Sequence, residues 1–445
     1  MKILRNASGS FFALMSQGAV FGFAFLIFMV LVRTLSREDF GTWVLYQTIM
    51  TFAEMARMGF IQNGLVKFLV DHPHDRERII TSAWVLNLAS GTLFWLMLWG
   101  LSVPLSELWQ APLLVDLART YGLVMLSWGS FRFLEYILVA DRNFRMVFWG
   151  HLVNGLIYFL LVVLAAWSMR LVSPVQVLTL QSIAAVIAVA YLAVHQRGQL
   201  ILGAPNLSYM KKLADYGRYA MGSSLGSILL QRLDVLMLGY FLGPASVALY
   251  NIGTKLTNYL EIPLRAVSLV IFPQLSQTFT EQGGEKMARL WEKSLSQLVA
   301  LVIPPCVLLF VFARPAIVLI AGPDYASSAP VLQIFLITAL IKPWGRMAGI
   351  SLEAIGKPHL NFRLVWISLL LNGGWNLLFI PRAGVVGAAW ATVLSMLLTT
   401  LAGLWLLRKQ LPINYAEPVR RLPGVYQEQW EKVKQWMIAR KLLGE

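Results

Sequence analysis

From one end to the other the chain alternates long apolar runs with short polar breaks. The runs are 18 to 30 residues long, and a helix of ~20 apolar residues crosses a ~30 Å hydrocarbon layer. None of them follows the two-residue period of a strand, so helices and not a barrel are predicted. Spans fall at roughly 9–32, 40–62, 79–102, 118–140, 146–168, 174–194, 216–241, 246–272, 290–313, 329–351, 361–380 and 384–407, twelve in all.

The polar breaks differ in charge. Even-numbered connections are basic, with Lys67, Arg76 and Arg78, then Arg142 and Arg145, Arg197, Lys211 and Lys212, Lys286, Arg289 and Lys293, and Lys357 with Arg363. Residues 103–117 and 242–246, both odd connections, carry no Lys or Arg, against exceptions at Arg33, Arg37, Arg170, Arg314 and Arg382. The bias places both termini in the cytoplasm.

The pattern also repeats. Asn361 to Gly373 echoes Asn143 to Gly155, 218 positions earlier, with seven of thirteen residues identical. A second echo pairs Leu35-Ser36 and Gly41-Thr42-Trp43 with Leu242-Gly243 and Ala248-Leu249-Tyr250 at an offset of 207, which puts Glu54 on Glu261. The two offsets differ by eleven residues, so insertions are expected between spans 8 and 11. The polar stretch His195 to Tyr209 divides six spans from six, giving lobes at 1–208 and 209–408. An even number of spans per half makes the repeat parallel, related by an axis along the membrane normal.

Composition agrees: 58% of residues are hydrophobic and 13% charged, more apolar surface than a soluble core can hide. This is an all-α polytopic membrane protein. The formal charge of +15 is therefore read as topology and not as a nucleic-acid footprint. The first apolar run, to Val32, is too long for a signal-peptide core and is read as a span. The single Cys306 has no partner in the chain for a disulfide. In the tail, 409–445, Tyr426, Trp430, Val433 and Met437 follow one helical face, predicting an amphipathic helix on the inner leaflet.

Ionisable groups at membrane depth are costly and mark function by default. Span 2 carries Gln47, Thr51, Glu54 and Arg57; span 8 carries Asn251, Lys255, Asn258, Glu261 and Arg265; span 7 carries Arg232 and Asp234. Arg132 and Glu135 lie in span 4, and Lys342 and Arg346 in span 10, with Glu353 just beyond. Seven basic groups thus face five acidic ones, a surplus that suits an anion, and Arg forks suit phosphate oxygens. Glu54 with Arg57, and Arg132 with Glu135, can alternatively be read as structural ion pairs, and His151 as a packing histidine. Metal-ligand spacing, a Walker loop and a nucleophile elbow are all missing, and no extramembrane segment is large enough for a catalytic domain, so an enzyme is not expected.

Ordered landmarks give these features a family. Arg232-Leu233-Asp234, Gly243 with Leu249-Tyr250, Phe272-Pro273-Gln274-Leu275-Ser276, Gly322-Pro323-Asp324-Tyr325, Ala354-Ile355-Gly356-Lys357, and Pro381 before Gly384-Val385-Val386-Gly387-Ala388-Ala389 follow one another in the second half. The first half offers Asp39-Phe40-Gly41-Thr42 and Gly59. This series resembles the polysaccharide-transporter branch of the multidrug/oligosaccharidyl-lipid/polysaccharide (MOP) exporter superfamily, the lipid-linked oligosaccharide flippases of O-antigen and capsule pathways. The resemblance implies two six-helix lobes in a MATE-like V, a cationic cavity, and alternating access that carries an undecaprenyl-pyrophosphate-linked glycan across the bacterial inner membrane. It implies no cofactor, with H+ or Na+ as candidate coupling ions, and glycan polymerases and glycosyltransferases as partners. Span 1 offers only Ser16 and Gln17 as strong polar groups, unlike the related lipid II flippases, which place charges there.

On this reading Arg57, Arg232, Lys255 and Arg265, with Asn251 and Asn258, would bind substrate, and Glu54, Asp234 and Glu261 would couple the cycle. The rival expectation is a cation-coupled multidrug or small-molecule antiporter of the same superfamily.

Overall fold

A computed structural model describes residues 2–57, 61–168, 171, 173–196 and 203–442. Gly59, Arg170 and Arg197 lie outside the described residues, as do the side chains of Val433 and Met437. Among those described the elements are helices: α1 (Lys2–Thr34), α2 (Arg37–Arg57), α3 (Asn63–Asp71), α4 (Arg76–Leu108), α5 (Leu113–Ala140), α6 (Phe144–Trp167), α7 (Pro174–His195) and α8 (Leu207–Leu242). There follow α9 (Pro244–Gln282), α10 (Gly284–Val311), α11 (Ala313–Ala321), α12 (Ala329–Ala354), α13 (Pro358–Arg408), α14 (Glu417–Arg420) and α15 (Leu422–Leu442). Eight helical stretches among the described residues are long and apolar enough to cross a membrane. This is a multi-pass, all-α membrane protein. Helix α2, which carries Arg37, Glu38, Asp39, Glu54 and Arg57, is not among the eight.

The chain divides into two compact units, Met1–Ala248 and Leu249–Glu445. In the first, α1 packs on α6, and α5 on α4 and α7. One core gathers Ile61, Leu65, Ile79, Ile80, Tyr136 and Leu213, while Phe131, Leu138, Val147 and Leu192 form a second. Helix α8 belongs to this unit, packing on α2, α3 and α4. In the second unit, α12 lies between α13 and α10. Trp291 on α10, fully buried, meets Trp344 on α12 edge to face at 6.5 Å.

Spans 11 and 12 are one helical run, α13, broken at Gly384 with φ 58° and ψ −137°. Only glycine adopts that backbone readily. At Gly387 a Cβ would strike the Phe379 carbonyl, so the two glycines together permit a tight reversal after Pro381.

The repeat can be followed through the turns. Helix α5 ends with Arg142 at φ 55°, Arg142 N donating to Val139 O and Asn143 N to Leu138 O. Helix α12 ends with Gly356 at φ 77°, Gly356 N donating to Glu353 O and Lys357 N to Leu352 O. The two caps are the same motif 214 positions apart. On that register Arg132 falls on Arg346, Glu135 on Gly349 and Trp128 on Lys342. The passage from offset 207 to 214 comes where the second half adds α11 and the turn Pro323–Ser328. The further four residues to 218 come where α13 begins about one helical turn earlier than α6 does.

Candidate functional site

Several of the ionisable residues of the spans gather into a network in each unit. In the first, Arg57 is 7% exposed and its Nη2 donates to Glu54 Oε2 at 2.6 Å. Nη1 reaches Asn87 Oδ1 on α4 at 3.4 Å. A Cβ at Gly129 on α5 would come within 2.6 Å of that same nitrogen, so the glycine makes the notch in which the guanidinium lies. One turn further along α5, Arg132 bonds to Glu135, and the other carboxylate oxygen of Glu135 stands 3.3 Å from His151 Nε2 on α6. Phe131 closes over the imidazole edge to face at 5.3 Å. Gly129, against Arg57, and Arg132 are one turn apart on α5, which sets the two pairs side by side. Their formal charges, two acids and two arginines, balance. The hydroxyls of Tyr46 and Tyr136 and the Nε of Arg57 are buried with no hydrogen-bond partner among the described residues.

In the second unit Glu261 on α9 receives Lys342 from α12 and, at 3.4 Å, Arg265 Nη2 from the next turn of α9. Arg346, one turn beyond Lys342 on α12, lies in the field of Glu261. It makes no hydrogen bond or ion pair among the described residues. Two cations therefore bond one carboxylate, and a third, Arg346, follows one turn beyond Lys342 on α12. The repeat register shows how this imbalance arose. The acid that neutralises Arg132 is replaced by Gly349 beside Arg346, and Lys342 stands where the first half has Trp128. Gly349 has its own packing reason, since a Cβ there would come within 3.0 Å of Asn361 Oδ1 on α13.

The remaining candidates are dispersed. Arg232 is half-buried on α8 without a partner among the described residues, and Asp234, two residues on, is buried. On α9, Asn251 and Lys255 are half-buried and Asn258 is exposed; the main-chain carbonyl of Asn251 accepts Thr254 Oγ1 at 3.0 Å. To bind substrate, Arg57 would have to leave Glu54. Sequence reasoning gave no role to Asn87, although an asparagine alone in the apolar run of span 3 was a visible signal. It also left Lys342 and Arg346 outside the proposed substrate-binding set, and it treated His151 as packing, whereas the imidazole faces a carboxylate.

The chain belongs to the polysaccharide biosynthesis protein family, whose model matches residues 30–330. It is 29% identical over 197 residues to the probable low-salt glycan biosynthesis flippase Agl15 of Haloferax volcanii, covering 44% of this chain and 42% of that one. It is 22% identical over 357 residues to the teichuronic acid biosynthesis protein TuaB of Bacillus subtilis, covering 79% and 72%. The chain spans about two fifths of the length of the first curated relatives it matches. Its fold is similar to that of the lipid II flippase MurJ in an inward closed conformation, at a TM-score of 0.72 and 12% identity over 94% of this chain and 90% of that one. An inward-facing multidrug resistance MATE transporter of the MOP superfamily matches equally, at 0.72 and 12% over 93% and 99%. The fold is the one these two transporters share.

Proposed function

We propose that the protein is a flippase, and not an enzyme, that moves an undecaprenyl-pyrophosphate-linked oligosaccharide, an O-antigen, capsule or exopolysaccharide repeat unit, across the bacterial inner membrane by alternating access between two six-helix lobes. The observation that carries this reading is the surplus of Lys342, Arg265 and Arg346 around Glu261 at membrane depth. An unneutralised cluster of that kind is costly in a membrane unless an anion completes it. A pyrophosphate supplies that anion, and the arginine forks fit its oxygens. The flippase name carried by the Haloferax relative supports the same reading.

On this account the first unit's balanced network holds helices α2, α4, α5 and α6 together and, through Glu54, couples the cycle to H+ or Na+. Arg232, Lys255, Asn251 and Asn258 extend the polar path. Glycosyltransferases supply the substrate and a glycan polymerase receives it.

The MATE likeness keeps a multidrug antiporter in view. Organic cations are poorly served by three positive charges around one acid, and that favours the flippase. The test is glycan export in a host lacking its own exporter. The chain is expected to restore export without raising resistance to cationic drugs; drug resistance without export would overturn the assignment.

A further inference from the structure

Helix α10 contains Pro304-Pro305 inside the stretch 295–311, which carries no Asp, Glu, Lys, Arg or His. A helical carbonyl accepts the amide four residues on, or five residues on in a π-turn. For Ala300 both of those residues are prolines and neither has an N–H. Its carbonyl is thus without a main-chain donor in either register, in surroundings where water does not replace one.

The missing donor comes from the tail. Tyr426 Oη on α15 donates to Ala300 O at 3.0 Å. The segment leading to it is tied down on the way. Leu411 and Ile413 are buried, Asn414 N donates to Glu292 Oε1 on α10 at 2.8 Å, and Tyr415 Oη donates to Leu404 O on α13 at 2.6 Å. Asn414 Oδ1 accepts Ala416 N at 3.0 Å, and Arg421 pairs with Glu417 at 2.7 Å, which shapes the turn between these anchors. The helix so held is the one whose Trp291 packs on Trp344 of α12, between Lys342 and Arg346.

We propose that residues 411–426 are a strap on α10, with Tyr426 standing in for the backbone donor that Pro304 removes, so that the strap keeps the proline break closed and its release lets α10 bend between Ala300 and Pro305. Bending there would move the surface against which α12, the helix that carries Lys342 and Arg346, packs.

Cys306, two residues past Pro304, buried and the only cysteine in the chain, reports the break directly. The experiment measures its rate of modification by N-ethylmaleimide in the full-length protein in nanodiscs, and needs no substrate. Tyr426→Phe, which removes one hydroxyl, is expected to raise the rate about fivefold. Pro304→Ala restores the amide at the fourth position, and in that background Tyr426→Phe is expected to change the rate by less than about twofold. General loosening by Tyr426→Phe would persist in the Pro304→Ala background. The proposal is overturned if it does persist, or if Tyr426→Phe alone leaves the labelling rate unchanged.

Discussion

Arg132 and Arg346 hold the same position in the two halves of the chain, but Arg132 has Glu135 three residues on and Arg346 has Gly349. One duplication has thus produced a neutral network in the first unit and a cationic one in the second. The difference predicts that equal substitutions in the two units have unequal consequences.

Neutralising Lys342 or Arg346 to Gln should lower glycan export at least tenfold while leaving the amount of folded protein unchanged, because neither residue is buried. Arg132→Gln should act the other way, leaving Glu135 to His151 alone and reducing folded protein first. Export and detergent-extracted protein measured side by side separate the two. Equal losses of protein in both units would count against a substrate role for the second.

Glu261→Gln removes the internal carboxylate that competes for Lys342 and Arg265. Affinity for a soluble polyprenyl pyrophosphate should rise, by about tenfold if ~1.4 kcal/mol of competition is relieved, and export should slow because release becomes harder. Calorimetric titration reads the first effect. Weaker binding would show instead that Glu261 itself holds the ligand.

Arg57→Ala leaves Glu54 and Asn87 facing an empty notch and should cost about 3 kcal/mol, the lower end for breaking a buried pair, since Glu54 is 29% exposed. Gly129→Ala pushes a methyl onto Arg57 Nη1 and should also destabilise the protein. In the Arg57→Ala background the added methyl has room, so Gly129→Ala should there cost little. Thermal unfolding of the four proteins in one detergent tests this non-additivity.

Much of the fold was legible because its signals are local. The reversal in α13 was marked by Pro381 and Gly384, which placed the break between spans 11 and 12 where the backbone turns. Glu54 with Arg57, and Arg132 with Glu135, could be paired from sequence because three residues along a helix are neighbours. Lys342 with Glu261 could not, since 81 positions separate them and only the packing of α9 and α12 within the second unit brings them together. The Glu135–His151 contact is hidden for the same reason. The orphaned carbonyl of Ala300 was implicit in Pro304-Pro305, but nothing local pointed to Tyr426, 126 residues away, as its donor.

Gly384→Ala should destabilise the second unit by about 1 to 3 kcal/mol, since φ 58° with ψ −137° is closed to residues with a Cβ. Gly374→Ala, within the same helix and with no atom within 4 Å of an added Cβ, is the matched control and should be neutral or slightly stabilising. Equal unfolding temperatures for both would remove the turn from the account.

The flippase reading stands or falls on transport by the purified protein. Reconstituted into liposomes with a fluorescent polyprenyl-pyrophosphate oligosaccharide, the wild type should make the outer-leaflet pool exchange with the inner one, and the Lys342→Gln/Arg346→Gln double variant should fall to the rate of protein-free liposomes. Wild-type flipping by the double variant would contradict the account, as would a wild type that moves organic cations and leaves the lipid-linked glycan where it was.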